Sequence, residues 1–548
     1  MSDAVVSPIC ASNRDCIALD LWRDDADRGA TIDALPSCSD SGGASSTMVL
    51  ADFTATMQPA PDDPLVRSYN DVPYTSSPDP ARHPDRLATL GTLLGLDVAP
   101  VATSRVLELA CGDGANLVPI GATLPDATFV GFDFAATPVA RAQRMVRELG
   151  LDNVRIHELD LRAVPADFGT FDYIIAHGLY SWIPADVRAH VLPLIARHLA
   201  PNGVALVSYN AMPGCHMRGV VWDMLKYHTR DISGKAGKVA AGRALLDLVA
   251  TPVDDDTPGQ QALRAEVRSA VLGTDASLAH DDLSEPNHPF YFHEFVADAA
   301  RSSLTFLAEA RLDTMLGAGV APKVRQALGR LDRLAREQYL DFVHFRHFRE
   351  SLLCHAGAPA KFVLQPSRVL ALHALPSLAT RRAALPASGT TQPAAVMDPL
   401  ERYLLACWPR CVSVTELGEW AAARAGAAER ANGSPHIGER VAALYAAGRV
   451  DLRAQPVAVA VAAGERPEAF GAARFINRDH HVIPSLYHEA LRYQDPLARK
   501  LLALLDGTRT RDDLCAALDG PFAGPAGRTQ LDRALQVLAS KALLVDRA

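Results

Sequence analysis

Between residues 105 and 209 the chain alternates short apolar runs with amphipathic stretches, and no other feature restricts its fold as much. The apolar runs cover 105–110, 128–133, 154–159, 171–176 and 204–209. Segments 115–124, 138–149 and 185–199 read as helices between them. Strands separated by helices form a parallel sheet covered on both faces, and right-handed crossovers make it doubly wound. Further on, 290–300 reads as a helix, and 304–310 and 348–355 as strands that complete the sheet as a hairpin-like pair. On this reading the residues from about 217 to 288 are a helical insertion over the ligand face. The alternative is an independent helical domain over 230–350.

The remainder follows from length and composition. A chain of 548 residues exceeds one hydrophobic core. Residues 1–62, with Asp24, Asp25 and Asp27 clustered and a Ser/Gly tract at 37–46, bury too little to offset their ordering entropy and read as a disordered extension. Met48 and Met57 offer alternative starts. A core domain spans 63–216, the helical insertion or regulatory region 217–288, and the completion of the sheet 289–360. An Ala/Pro/Ser/Thr-rich linker spans 361–396, and C-terminal modules 397–548. Those modules contain a repeat: Asp398–Ala406 matches Asp495–Ala503 at seven of nine positions, each starting Asp-Pro as a helix start should. Helix–helix–helix–strand in each copy gives a winged-helix-like α+β order.

A formal net charge of −9 and interspersed Arg and Asp in the modules argue against a nucleic-acid partner. Nine cysteines without paired metal-ligand spacing suggest free thiols and a cytoplasmic protein, with no metal site. No apolar run reaches the roughly 18 residues of a membrane span. The insertion offers a surface for a homodimer.

The chemistry concentrates in Glu108, Ala110, Gly112, Gly114 and Asn116, which follow the first strand and open a helix. Glycines there allow a tight turn and close approach of backbone to ligand. A dinucleotide site is a rival reading, but its third glycine position is Leu117 here. Glu108 would repel a pyrophosphate and attract a cation. Asp133, beside Phe134, ends the second strand, where a carboxylate accepts ribose hydroxyls. Asp160 and Leu161 follow the third strand and could accept from, and donate to, an adenine ring. Acids at successive carboxyl strand ends, around a glycine turn, point to S-adenosylmethionine.

The segments Tyr69–Tyr74, His83–Ala88, Glu108–Asn116, Ala176–Pro184, Ser208–Asn210 and Pro213–His216 resemble class I methyltransferases that carry a methyltransferase regulatory domain. Asn287–Phe295, Glu337–Asp341 and Leu352–His355 extend that resemblance. It spans roughly 65–370 and includes bacterial protein-lysine methyltransferase-like members. It implies a Rossmann-like methyltransferase sheet, S-adenosylmethionine as cofactor and methyl transfer by in-line displacement. The acceptor is then a protein lysine or a small molecule of natural-product type. A non-catalytic cofactor-binding interaction protein is the third reading.

Cofactor contacts are expected from Tyr69, His83, Glu108, Ala110, Gly112, Gly114, Asn116, Asp133, Phe134, Asp160, Leu161 and His177. Catalytic roles are expected from Tyr74, His177 and Tyr180, with Trp182, Tyr209 and His216 as further channel candidates. One departure keeps nitrogen, oxygen and carbon acceptors open. Many amine-directed relatives end the fourth strand with Asp or Asn, Pro-Pro and an aromatic, whereas this chain has His177, Gly178, Leu179 and Tyr180.

Overall fold

A computed structural model describes residues 74–546, except 75, 254, 316–318, 385–396, 425–436, 519 and 523–525, and also the pair Ile17–Ala18. Its centre is a seven-stranded sheet. Five parallel strands come first: β1 (Arg105–Leu109), β2 (Thr128–Asp133), β3 (Val154–Glu158), β4 (Phe171–Ala176) and β5 (Leu199–Asn210). The closing pair, β6 (Leu304–Glu309) and β7 (Phe348–His355), is antiparallel, and the order across the sheet is β3-β2-β1-β4-β5-β7-β6. The order reverses beside β1, so the glycine turn lies at the switch point where open α/β sheets bind ligands.

One sheet face packs on α1 (Pro84–Leu93), α2 (Leu117–Thr123) and α3 (Ala136–Leu149). The other packs on α4 (Val191–His198) and on α8 (Phe292–Arg301), with Leu334 of α9 (Arg333–His344) against the same cluster and Phe292, Phe295 and Phe306 fully buried. Strands buried on both faces read as near-continuous apolar runs, which made the inner parallel strands visible in the sequence, whereas the edge strand β3 alternates buried Val154 and Ile156 with half-buried Arg155 and His157. The helix expected over 185–199 divides at Ala189 and His190, and β5 starts at Leu199, earlier than its apolar run.

The insertion is helical. It contains α5 (Cys215–Thr229), α6 (Lys235–Val249), α7 (Pro258–Val271) and a wide turn over Leu278–Asp282, around its own apolar cluster of Val221, Leu225, Leu246, Val267 and Leu278. Arg218, 2 % exposed, donates from Nε and Nη2 to both oxygens of Asp282, and Trp222 Nε1 donates to the same carboxylate. The buried charge is thereby paired on both sides, the condition for its being tolerated. Asn210 at the end of β5 donates to Asn287 Oδ1, and Asn287 donates to the Asp281 carbonyl, so the insertion is tied to the carboxyl edge of the sheet.

The linker expectation needs correction. Within it, β8 (His373–Pro376) is the middle strand of a three-stranded sheet, flanked by β9 (Val412–Ser413) and β10 (Val450–Arg453). Val369, Leu372, Ala374 and Leu375 are buried there, so an apolar strand lay inside a stretch whose Pro and Ser content reads as a loop. Residues 385–396 lie outside the described part. Both repeat copies start helices as their Asp-Pro predicts. Asp398 accepts from Leu400 N–H ahead of α10 (Pro399–Cys407), and Asp495 accepts from Ala498 N–H ahead of α13 (Pro496–Leu504). Copy one continues through β9, α11 (Val414–Arg424), α12 (Ile437–Ala446) and β10. Copy two continues through α14 (Arg511–Ala517) and α15 (Gly527–Ser540), with isolated bridges at Asp506 and Leu544 in place of strands.

These modules are not a separate body. One apolar cluster runs from Leu87, Ile120 and Phe129 through Leu400, Val441 and Phe475 to Leu535 and Leu543. Of the extension 1–62, Ile17–Ala18 pairs with Leu491 and Arg492, and the rest, with both alternative starts, lies outside the described residues. Among the described residues no helix is long and apolar enough to cross a membrane.

Candidate active site

After β1 the backbone turns left-handed three times in five residues: Ala110 at φ 53°, Gly112 at 54° and Gly114 at 73°. Two of the three are glycine, the residue without a Cβ penalty there, and Ala110 bears the strain alone. The glycines serve different ends. A Cβ on Gly114 would stand 2.8 Å from Ala142 Cβ and 2.9 Å from Val118 Cγ2, so this glycine lets α3 close on the turn. Among the described residues a Cβ on Gly112 would meet nothing nearer than Ser76 Oγ at 3.9 Å, which leaves room on that side for a ligand.

Three buried carboxyls ring the turn. Asp133 accepts from Gly112 N–H (3.0 Å) and Ala135 N–H (2.9 Å), and burial pushes it up to about 6. Asp113 accepts from Ala115 N–H and is likewise raised by burial to about 6. Glu108 Oε1 accepts from Asn116 Nδ2 at 2.9 Å, while its buried Oε2 has no hydrogen-bond partner among the described residues. Burial pushes Glu108 up to about 8, partly offset by the Asn116 hydrogen bond and by Arg82. A carboxyl held this far from its usual range by desolvation gains from any cation placed beside it.

Asp160 caps a short 3-10 turn, Leu161–Ala163, and both its oxygens meet Arg162: Oδ1 accepts from N–H and Nε, and Oδ2 from the guanidinium at 2.6 Å. Burial acts to raise it, but the Arg162 bonds outweigh that and hold Asp160 below its usual range. An adenine amino group would have to share this carboxylate with Arg162. Phe134 follows Asp133 directly, half-buried at the same edge.

His177 follows β4 and faces a charged cluster. Its Nδ1 is buried, stands 3.7 Å from Glu350 Oε1 and makes no hydrogen bond among the described residues. Burial, with the Arg82 and Arg311 charges, holds the imidazole well below its usual pKa and so neutral. Glu350, on β7, takes Arg82 at 3.4 Å and Arg311 at 3.3 Å, and both guanidiniums also reach Asp79. Burial and the neighbouring Asp79 charge raise Glu350, whereas the two arginines hold Asp79 down near 2.

Other expected residues stand elsewhere. Tyr180 is a correction. It is 2 % exposed, its ring packs edge-on to Phe295, and its hydroxyl donates to Asp298 Oδ2 at 3.1 Å. The left-handed turn at Gly178 carries the chain off the strand edge and back onto the α8 face, which makes this tyrosine core. Tyr209 is also core, stacked 4.1 Å from Phe295 with its hydroxyl 3.3 Å from Ser351 Oγ. Trp182 is buried beside Phe348, whose ring also meets His177. His83 is the N-cap of α1: its Nδ1 accepts from Asp85 N–H, and its ring lies 5.9 Å from that of His488. Tyr74 is partly exposed and meets His280 edge-on at 5.8 Å. His216 pairs with the Tyr291 hydroxyl. Tyr69 lies outside the described residues.

Sequence reading missed Asp79, Arg82, Arg311 and Glu350. The one local trace was charge inside an apolar strand, Arg349 and Glu350 in β7. It also missed His488, which reaches Asn116 from the C-terminal modules at 2.9 Å and has no sequence signal at all.

A family described as a methyltransferase domain matches residues 106–203, and one described as a predicted methyltransferase regulatory domain matches 274–355. Protein RP028 of Rickettsia prowazekii is 30 % identical over 241 residues, 44 % of this chain and 96 % of that one. The chain belongs to the S-adenosylmethionine-dependent methyltransferases with a methyltransferase regulatory domain. Protein RP789 of the same organism is 39 % identical over 289 residues, which is 52 % of each, so the match spans about half of that relative's length. The solved structure of PKMT2 from Rickettsia typhi in complex with AdoHcy shares the fold at a TM-score of 0.73 and 22 % identity, over 86 % of this chain and 100 % of that one. The regulatory family model begins in the last turn of the insertion and covers mainly α8, β6 and β7, so it sits further along the chain than the 217–288 expected for it.

S-adenosylmethionine is thus the cofactor, and the residues fit it. Among the described residues, Gly112 leaves a side of the turn free of close side chains, and Glu108 Oε2 is a buried acceptor without a donor. A cationic amino acid end answers the second of these, as a pyrophosphate could not.

Proposed function

We propose that this chain methylates nitrogen, with the side chain of a protein lysine as the first acceptor class. The observation that carries this reading is the buried Nδ1 of His177 beside Glu350, without a hydrogen-bond partner among the described residues, at the edge next to the glycine turn. The cofactor supplies an electrophilic methyl group on a sulfonium. The chain's own residues have to bind and align the two partners, and alignment alone can contribute ~7–11 kcal/mol. In this reading Glu108 holds the amino acid end, Asp133 the ribose, and Asp160 with Leu161 the adenine.

An amine acceptor needs a desolvated place to shed its proton. A neutral His177 accepts a hydrogen bond from the amine without repelling it. Glu350, raised by burial and by Asp79, takes a proton more readily than a surface carboxylate would. Tyr74, on the rim against the insertion, offers an aromatic face to the incoming cation.

The test uses the purified full chain. Calorimetry should detect S-adenosylhomocysteine binding. Incubation with methyl-labelled cofactor and a bacterial extract should put label into protein and, after hydrolysis, into N-methyllysine. Label confined to solvent-extractable small molecules would overturn the acceptor class, and absence of S-adenosylhomocysteine binding would overturn the whole reading.

A further inference from the structure

The C-terminal modules place one side chain inside the cofactor site. Strands β11 (Val482–Pro484) and β12 (Ala490–Arg492) form a hairpin whose tip, residues 485–489, is tightly bonded. Ser485 Oγ accepts from Tyr487 N–H and Glu489 N–H, and the Ser485 carbonyl accepts from His488 N–H. Tyr487 anchors the tip: its hydroxyl donates to the Pro409 carbonyl, and its ring stacks on Trp408 at 5.2 Å. Thus held, His488 adopts a left-handed backbone at φ 61°, which a side-chain-bearing residue adopts only when its surroundings impose it.

His488 is 2 % exposed, and its Nε2 lies 2.9 Å from Asn116 Oδ1, across 372 residues of sequence. Asn116 Nδ2 in turn donates to Glu108 Oε1 at 2.9 Å. These contacts define the amide's orientation. Oε1 accepts from Nδ2 when Glu108 is ionised and also when its proton sits on Oε2, so Nδ2 faces Glu108, and Oδ1 is left to receive the His488 N–H. The chain His488–Asn116–Glu108 therefore fixes one oxygen of Glu108 and leaves Oε2, buried and without a partner among the described residues, for a ligand.

We propose that the hairpin tip of the C-terminal modules is a positioning element for the cofactor's amino acid end, with His488 acting through Asn116 on Glu108. Without its donor the Asn116 amide is free to turn, and Glu108 loses the hydrogen bond that aims it and favours its charged form. The modules thus contribute to cofactor recognition, and not only to the packing of the sheet face they share. This inference rests on the cofactor reading above.

The experiment compares two ligands on the full chain by calorimetry: S-adenosylhomocysteine, and 5′-methylthioadenosine, which carries the nucleoside and thioether but no amino acid. In H488A the affinity for S-adenosylhomocysteine should fall roughly ten- to a hundredfold, the loss expected for a hydrogen bond to a charged group. Affinity for 5′-methylthioadenosine should stay within about twofold of wild type, since no group of that ligand answers Glu108. H488Q, which keeps a donor, should recover most of the loss. N116D, which sets a carboxylate against Glu108, should show the same ligand-selective loss and carries the test should H488A not fold. Equal weakening of both ligands, or of neither, overturns the inference while leaving the cofactor reading in place. A wild-type chain that binds neither ligand overturns both.

Discussion

Cofactor binding should release a proton, and the amount follows from Glu108. Burial lifts its carboxyl to about 8 in the unliganded protein, against 4.5 for an exposed one. At pH 7 the neutral form therefore outweighs the carboxylate about tenfold, and ionising it to meet a ligand cation costs about 1.4 kcal/mol of binding. The groups facing it are Asn116, Arg82, Asp113 and Asp133. The two aspartates titrate near 6, so the clean window lies above them, at pH 6.5 to 7.5. There the association constant for S-adenosylhomocysteine should rise nearly tenfold per pH unit, with about 0.9 proton released per complex at pH 7. Calorimetry in buffers of different ionisation enthalpy reads that proton directly. E108Q should bind more weakly and lose the slope. A flat profile for wild type, or affinity that falls as pH rises, refutes the reasoning. The same raised carboxyl acts on stability in the unliganded protein. Its folded-state value exceeds the unfolded one, so its contribution is most favourable below about 4.5 and is lost as pH climbs through about 8. Cofactor should protect most at the alkaline end.

Other perturbations separate packing from function. G114A sets a Cβ against Ala142 at a positive φ, adding ~1–2 kcal/mol of backbone strain to ~1–3 of overpacking, and thermal unfolding should shift down clearly. G112A meets no close neighbour among the described residues but stands at φ 54°, so it should cost only the ~1–2 kcal/mol of backbone strain, less than G114A, yet lose S-adenosylhomocysteine affinity, and normal binding would contradict the open-face assignment. H177A should lower kcat ~10²-fold or more with the cofactor KM little changed, while Y180F, whose hydroxyl only meets Asp298, should keep near-normal turnover. Arg349, fully buried, faces Glu309, Glu337 and Asp341. R349M removes the charge facing Glu309 and Glu337 and leaves Asp341 with Arg346 alone, so it should cost ~3–5 kcal/mol, seen as a large drop in thermal stability; a mild effect would mean that the carboxyls are neutral already.

What the sequence disclosed is what repeats locally. The inner parallel strands bury nearly every residue, so their apolar runs stand out, while the edge strand β3 buries only Val154 and Ile156; the acids at the strand ends fall one after another along one edge. The glycine turn declares itself because positive φ selects its residues. The closing pair β6 and β7 was legible for the same reason, despite the inserted helices between β5 and β6. Aromatic residues were harder. Tyr74 and Tyr180 flank the same edge in the sequence reading, yet one lies on the rim and the other in the core, because a single turn at Gly178 decides which way the chain leaves the strand.

The charged cluster shows why the rest stayed hidden. Asp79, Arg82, His177, Arg311 and Glu350 come from four separate segments, and no spacing along the chain records that the sheet order puts β7 beside β5. Only the cost of burial leaves a mark. A carboxylate within an apolar strand needs a partner or a task, and Glu309 and Glu350 each sit in such a strand. Glu309 has its partner in Arg349 and serves the core. Glu350 has two arginines and, in addition, an imidazole whose Nδ1 finds no hydrogen-bond partner among the described residues, which is why the proposed acceptor role falls to it and not to Glu309.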